Sequence, residues 1–247
     1  MIGKIYIVGL GPGGIFEMTN RAEEVLEGCD IIVGYTVYVD LIREDFKEKT
    51  FLATGMKQEV DRCKIVLEEA LKGKKVAMVC SGDAGVYGMA GIVHEVAKDH
   101  PEVEIEVIPG VTAACSAAAV LGAPLIHDFV MISLSDLLTS WETIEKRIAL
   151  AAQADFVICF YNPSSRKRHD YLEKACKIIM EYQRPETVAG YVQHIGREGQ
   201  NIKVCRLEEM VNAKVDMFTT VIIGNSETKV INGKMVTPRG YEKRYDV

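Results

Sequence analysis

Apolar residues come in short unbroken runs along the first half of this chain, and each run is followed by helical periodicity. Lys4 to Val8 is the first run and enters Gly9-Leu10-Gly11-Pro12-Gly13-Gly14; Phe16 to Leu26 then reads as a helix, with Gly28 placed for the left-handed position after it. Asp30 to Gly34 predicts a second strand. Gln58 to Leu71 predicts a helix with Val60, Cys63, Leu67, Ala70 and Leu71 on one stripe, closed by Gly73. Lys75 to Cys80 predicts a third strand, which opens into Ser81-Gly82-Asp83-Ala84-Gly85 and a helix to about Lys98. Val103 to Ile108 is the next strand, broken by Pro109-Gly110 before an alanine-rich helix from Val111 to Leu121. This βαβα order with continuous apolar strands predicts an α/β fold: a mostly parallel sheet covered on both faces, with functional loops at the carboxyl ends of the strands.

After Gly122-Ala123-Pro124 the pattern changes. Phe129 to Leu134, Asp155 to Phe160, Thr187 to Val192, Ile202 to Leu207 and Thr219 to Gly224 read as strands, with long helices only near Trp141 to Ala152 and Arg166 to Tyr182. Asn232-Gly233, between two short β-rich runs, is a hairpin signal. The shift predicts an N-terminal α/β domain over residues 1–115 and a more mixed α/β domain over 116–247.

Composition narrows the classes. With 247 residues, 48% of them hydrophobic, the chain can bury a real core, which excludes disorder and collagen-like structure. A formal net charge of -6 leaves no general electrostatic footprint for nucleic acid or an anionic membrane, so an anionic ligand requires local positive charge. The start of the chain lacks a leader pattern and no apolar run approaches spanning length, so the expected location is the cytoplasm. Cys29, Cys63, Cys80, Cys115, Cys159, Cys176 and Cys205 are scattered singly, without metal-ligand spacing; no metal is expected and a reducing compartment suits them.

Gly9-x-Gly11-x-x-Gly14 after a strand formally satisfies the dinucleotide fingerprint. Pro12 removes an amide donor that a phosphate would use, and the second strand ends at Gly34-Tyr35 without the acidic residue that ribose binding needs. The run Ser81 to Gly91 fits a cradle for a small ligand and, equally, a glycine turn with Asp83 capping the next helix. Pro109-Gly110-Val111-Thr112-Ala113-Ala114 adds a second small-residue turn at the next strand end, where Thr112 either binds ligand or caps. Two such loops on one sheet edge favour a pocket.

In that order and spacing, Val8 to Gly13, Ser81 to Gly88 and Pro109 to Ala114 resemble the tetrapyrrole methylase family. Phe160-Tyr161-Asn162-Pro163-Ser164-Ser165, His194-Ile195-Gly196-Arg197 and Val221 to Ser226 resemble its C17-methylating branch, which acts on precorrin-3B or cobalt-factor III. The resemblance covers essentially the whole chain and implies two α/β domains of the class III methyltransferase type, with S-adenosyl-L-methionine folded into a cleft between them. It implies that Gly11 and Gly13 line the substrate side, that Pro12, Ser81, Gly82, Asp83, Val86, Thr112 and Ala113 hold the cofactor, and that Asn162 and Gly196 approach it from the second domain. It also implies a homodimer, S-adenosyl-L-homocysteine as product, and neither nucleic acid nor membrane as partner.

In such a methyl transfer, alignment of the carbon nucleophile with the sulfonium contributes more than a strong acid or base. Contraction of the macrocycle needs a proton-handling group, for which loop placement nominates Asp136 and His127. His94 and His100 read as surface residues, and a hydrogen-bonded structural histidine is the ordinary reading of His127 and His194. Trp141 reads as a packing residue. Arg166, Lys167, Arg168 and His169 read as a solvated helix face or, with Arg197, as a positive rim for tetrapyrrole carboxylates. Competing functions are C20, C11 or C2 tetrapyrrole methylation, diphthine synthesis, ribose methylation of RNA, a dinucleotide-dependent oxidoreductase and a small-ligand sensor.

Overall fold

Strand residues in the first half sort by parity onto opposite faces of one sheet. The structure, a computed structural model, describes residues 2–165, 169–241 and 244–245. It divides into two compact units, Met1–Ala113 and Ala114–Val247. In the first unit β1 (Lys4–Gly9), α1 (Asn20–Gly28), β2 (Ile31–Tyr35), α2 (Thr36–Asp40), β3 (Thr50–Thr54), α3 (Glu59–Leu71), β4 (Lys75–Cys80), α4 (Ala90–Val96) and β5 (Glu104–Ile108) form a parallel five-stranded sheet of order β3-β2-β4-β1-β5. Ile5, Ile7, Ile31, Val33, Val76 and Met78 pack against Cys63, Val66, Leu67 and Ala70 of α3 and Ala90 and Val93 of α4. Val8, Ile32, Ala77 and Val79 face the other way, onto Ala22, Val25 and Leu26 of α1 and Val39 of α2. Both faces are covered, as the unbroken apolar runs predict.

The second unit opens on α5 (Ala113–Leu121), whose first residue is the last of the first unit. It contains β6 (Gly122–Ala123), β7 (Phe129–Ser133), α6 (Trp141–Gln153), β8 (Val157–Tyr161), α7 (Tyr171–Ile179), β9 (Val188–Gln193), β10 (Asn201–Arg206), α8 (Leu207–Met210), β11 (Thr219–Ile223), β12 (Lys229–Ile231) and β13 (Lys234–Val236). Its five-stranded sheet has the order β10-β9-β11-β8-β7; β7 and β8 are parallel and the other pairs antiparallel. One face packs on α6, α7 and α8 through Ile144, Ile148, Leu172, Cys176, Ile179 and Met210. On the other face Leu121 of α5 lies against Gly190, where an added β-carbon would meet its Cδ2 at 2.8 Å. Because β9 and β8 both run opposite to β11, the carboxyl ends of β7, β8 and β9 lie on one sheet edge.

Several local expectations change. Phe16 lies outside α1, in a 3-10 turn over Ile15–Glu17, and is 99% exposed; α1 starts later because Thr19 Oγ1 caps it, accepting from Ala22 N–H at 3.2 Å. Gly28 is the last residue of α1 and not a left-handed cap, the cap being Cys29 at φ -86°. The buried stripe of α3 is rotated: Arg62 and Val66 are buried, whereas Val60 and Leu71 are 48% and 39% exposed. The helix after β4 begins only at Ala90, so Asp83 does not cap it. α7 begins at Tyr171, and the Arg166 to Arg168 stretch of the expected helix lies outside the described residues. β3, α2 and β6 have no counterpart in the expectations. The hairpin forms as expected, with Asn232 and Gly233 at φ 49° and 76°. Among the described residues, no helix is long and apolar enough to cross a membrane.

Candidate active site

β4, β1 and β5 are neighbours in the sheet, so the loops after them meet at its carboxyl edge. Gly11 and Gly82 exchange backbone hydrogen bonds, N–H to carbonyl, at 3.0 and 2.8 Å, both in the left-handed region at φ 72° and 68°. Leu10 N–H donates to the Cys80 carbonyl at 2.8 Å. An added β-carbon on Gly110 would lie 2.3 Å from the Gly82 carbonyl oxygen and 2.6 Å from that of Gly9. One on Gly9 would lie 2.7 Å from both Gly82 O and Gly110 N, and one on Gly88 would lie 2.4 Å from Ala84 O. These glycines are therefore needed for packing the loops on one another.

Asp83 closes the junction. Its Oδ1 accepts from Gly85 N–H at 2.8 Å and its Oδ2 from Gly110 N–H at 3.0 Å, so one carboxylate ties the loop after β4 to the loop after β5. Thr112 and Ala113 stand beside Gly82, whose β-carbon position lies 3.7 Å from Thr112 Cα and 3.4 Å from Ala113 N. Ser81, Asp83, Val86, Thr112 and Ala113 are half-buried, each keeping surface from which a ligand is reachable, while Gly11, Pro12 and Gly13 are buried. The loop leads into the 3-10 turn and not into a helix N-terminus, so the phosphate seat of a dinucleotide fingerprint is not formed. Cys80, at the base of the junction, has its thiol pushed up to about 12 by burial and is inert at neutral pH.

Arg62 is a residue that the sequence reading missed. It is 4% exposed, with Nε donating to Thr54 Oγ1 at 2.7 Å and Nη2 to the Gly55 carbonyl at 3.0 Å. Nη1 lies 3.9 Å from Met89 Sδ, so the guanidinium braces the far end of the loop that runs from β4 to α4.

In the second unit Asn162 follows β8 at φ 53°, with Nδ2 donating to Ser133 Oγ at 2.9 Å across the parallel β7–β8 pair. Ser133 Oγ also accepts from Ser135 N–H at 3.2 Å, and Tyr161 Oη accepts from Ala114 N–H at 2.8 Å. Beyond β9, His194 and Gly196 are both left-handed, at φ 50° and 67°, and Gly196 N–H donates to Gln200 Oε1 at 2.8 Å. His194 Nε2 lies 3.1 Å from Asp216 Oδ2, and Arg197 holds its guanidinium 5.9 Å from the Phe218 ring centroid. No sequence signal pairs Ser133 with Asn162 or Asp216 with His194, because each partner arrives on a different segment.

The two nominated proton-handling groups are already engaged. Asp136 Oδ2 accepts from Tyr171 Oη at 2.7 Å, and this bond holds the Tyr171 phenol above its ordinary range. His127 is exposed; its Nδ1 accepts from Asp128 N–H at 2.9 Å and lies 3.8 Å from Asp128 Oδ2. Trp141 packs, with its ring 4.3 Å from that of Tyr171 and its Nε1 donating to Glu145 at 2.5 Å. Arg166 and Arg168 lie outside the described residues. Among the described residues no cluster of acidic, histidine and cysteine side chains forms a metal site.

Residues 4–211 match the family of Tetrapyrrole (Corrin/Porphyrin) Methylases. A probable cobalt-factor III C(17)-methyltransferase of Salmonella typhimurium is 47% identical over 95% of this chain and 98% of its own length. A cobalt-factor III methyltransferase of Priestia megaterium is 46% identical over 99% of this chain, which spans only 46% of that longer protein. A precorrin-3B C(17)-methyltransferase of Sinorhizobium sp is 38% identical over 98% of both chains. Among solved structures, the methyltransferase CobJ is similar with a TM-score of 0.88 and 37% identity, over 96% of this chain and 100% of that one. The shared fold and the match over most of its length establish that the chain belongs to the tetrapyrrole (corrin/porphyrin) methylases.

Proposed function

We propose that this chain is an S-adenosyl-L-methionine-dependent C-methyltransferase of cobalamin biosynthesis that methylates C17 of a tetrapyrrole with contraction of the macrocycle. The observation that carries the reading is the Gly11, Gly82 and Gly110 junction locked by Asp83, which sets half-buried Ser81, Val86, Thr112 and Ala113 at the carboxyl edge of a parallel sheet. Relatives named for cobalt-factor III span 39% to 47% identity against 38% for a relative named for precorrin-3B, which favours the cobalt-containing macrocycle as substrate.

The residues present fit the cofactor chemically. Small residues and backbone amides approach a ligand closely without strong acids or bases, which suits a methyl donor whose sulfonium charge disperses as the carbon attacks. When bound, S-adenosyl-L-methionine supplies an electrophilic methyl group and becomes S-adenosyl-L-homocysteine. Ser81, Asp83, Val86, Thr112 and Ala113 would hold it. By the family's pattern the loop built on buried Gly11 and Gly13 shapes the macrocycle side, and Arg166, Arg168 and Arg197 would attract the macrocycle's carboxylates. The same reading places a homodimer in the cytoplasm.

Incubation with methyl-labelled S-adenosyl-L-methionine and either cobalt-factor III or precorrin-3B, followed by mass spectrometry of the tetrapyrrole, tests the assignment. Label is expected on the macrocycle, faster with the cobalt form; transfer to neither overturns the reading.

A further inference from the structure

Charge conservation leaves one requirement of this reaction unassigned. A sulfonium passes on its methyl group as the C–S bond breaks and the bonding pair stays on sulfur as a neutral thioether. The new C–C bond takes its pair from the π-system of the macrocycle, which therefore becomes cationic until a proton leaves, from an N–H or C–H conjugated to the methylated carbon or from a hydroxyl that becomes a carbonyl as the ring contracts. Some group must take that proton.

We propose that His194, oriented by Asp216, is that proton acceptor; the inference rests on the methyltransferase reading above. Three observations carry it. The first is a fixed dyad: His194 Nε2 sits 3.1 Å from Asp216 Oδ2, while Asp216 Oδ1 accepts from Phe218 N–H at 2.9 Å and from Thr219 Oγ1 at 2.8 Å. A carboxylate so held keeps the imidazole proton on Nε2 and leaves the lone pair on Nδ1, which has no hydrogen-bond partner among the described residues. The second is the backbone: His194 occupies the left-handed region at φ 50°, fixed by its N–H donating to the Phe218 carbonyl at 3.1 Å and its carbonyl accepting from Arg197 N–H at 3.0 Å. Strain of this kind persists only where the surroundings impose it.

The third is placement. His194 leaves β9 on the same sheet edge as Asn162 leaves β8, two residues before Gly196, and its side chain is 37% exposed. Two charged groups stand at this cluster, Asp216 at 3.1 Å from His194 and Arg197 over the Phe218 ring. His127 has its Nδ1 occupied by a backbone amide, and Asp136 is held by Tyr171, so neither offers an oriented free base.

After methyl transfer the imidazole becomes imidazolium, stabilised by the Asp216 carboxylate, and returns its proton to water. His194 is thus a catalytic base and Asp216 a positioning residue.

Single-turnover methyl transfer in the full-length enzyme tests this with His194→Asn, which tolerates the left-handed backbone, with His194→Ala and with Asp216→Asn. S-adenosyl-L-methionine affinity and circular dichroism control for folding. The expected result is a loss of about 100-fold for both His194 variants with little change in cofactor affinity, disappearance of the acid limb of the rate profile, and recovery of His194→Ala by added imidazole. Asp216→Asn is expected to lose up to about 100-fold, because the amide can hold the imidazole in the wrong tautomer, with cofactor affinity unchanged. A His194→Asn enzyme that keeps the wild-type rate and acid limb overturns the proposal, as does a loss that appears only as weaker cofactor binding. No transfer by the wild type would instead overturn the methyltransferase reading beneath it.

Discussion

Gly110 and Gly28 carry the same side chain for opposite reasons. Gly110 is hemmed by the carbonyls of Gly82 and Gly9, so Gly110→Ala must push the loops apart; it is expected to cost about 1–3 kcal/mol in denaturant unfolding and to weaken S-adenosyl-L-methionine binding in calorimetry. Gly28 ends α1 with open space around its β-carbon position, so Gly28→Ala is expected to raise stability by about 0.5 kcal/mol and leave binding unchanged. Composition shows that both are glycines, but only the approach of other backbone distinguishes them. Asp136 poses a similar question. If its main duty is to accept from Tyr171, Asp136→Asn lowers the phenol titration seen by ultraviolet absorbance and leaves turnover intact. A collapse of turnover with the tyrosine titration unmoved would return Asp136 to the chemistry.

At the scale of elements, β4, β8 and α7 carry the buried Cys80, Cys159 and Cys176, whose thiols burial pushes up to about 12. A thiol that is harder to ionise in the folded state than at its unfolded value of about 9 contributes stability that is complete below that value. That contribution is lost as pH rises from about 9 towards 12, at roughly 1.4 kcal/mol per pH unit for each buried thiol. The unfolding midpoint should therefore fall steeply over this window, and Cys80→Ser should make the fall shallower. At neutral pH exposed Cys115 should react with a maleimide long before these three. Periodicity located most of these elements to within a few residues, since unbroken apolar runs report burial on both faces. It missed β3, an edge strand of mixed exposure, and it rotated the stripe of α3 because a buried arginine reads as a solvent residue until Thr54, Gly55 and Met89 supply its partners.

At the scale of the whole molecule, a net charge of -6 opposes a polycarboxylate ligand, so recognition has to be local. Arg197→Glu, and reversal of Arg166 or Arg168, should each weaken tetrapyrrole binding about 10-fold and S-adenosyl-L-methionine binding far less, with the difference shrinking as salt is added. Equal loss of both ligands would count against a positive rim.

The sequence by itself determined the α/β class, the parallel first sheet, the hairpin at Asn232-Gly233 and the loops that carry the family's motifs. Each of these is set by residues close together along the chain, where hydrophobic period and turn chemistry act directly. Only the tertiary structure decided that Asp83 joins two loops and leaves its helix uncapped, that Ser133 holds Asn162, and that Asp216 orients His194. Those pairings join segments far apart in sequence, and they exist because strand order, not chain order, sets which side chains meet at a sheet edge.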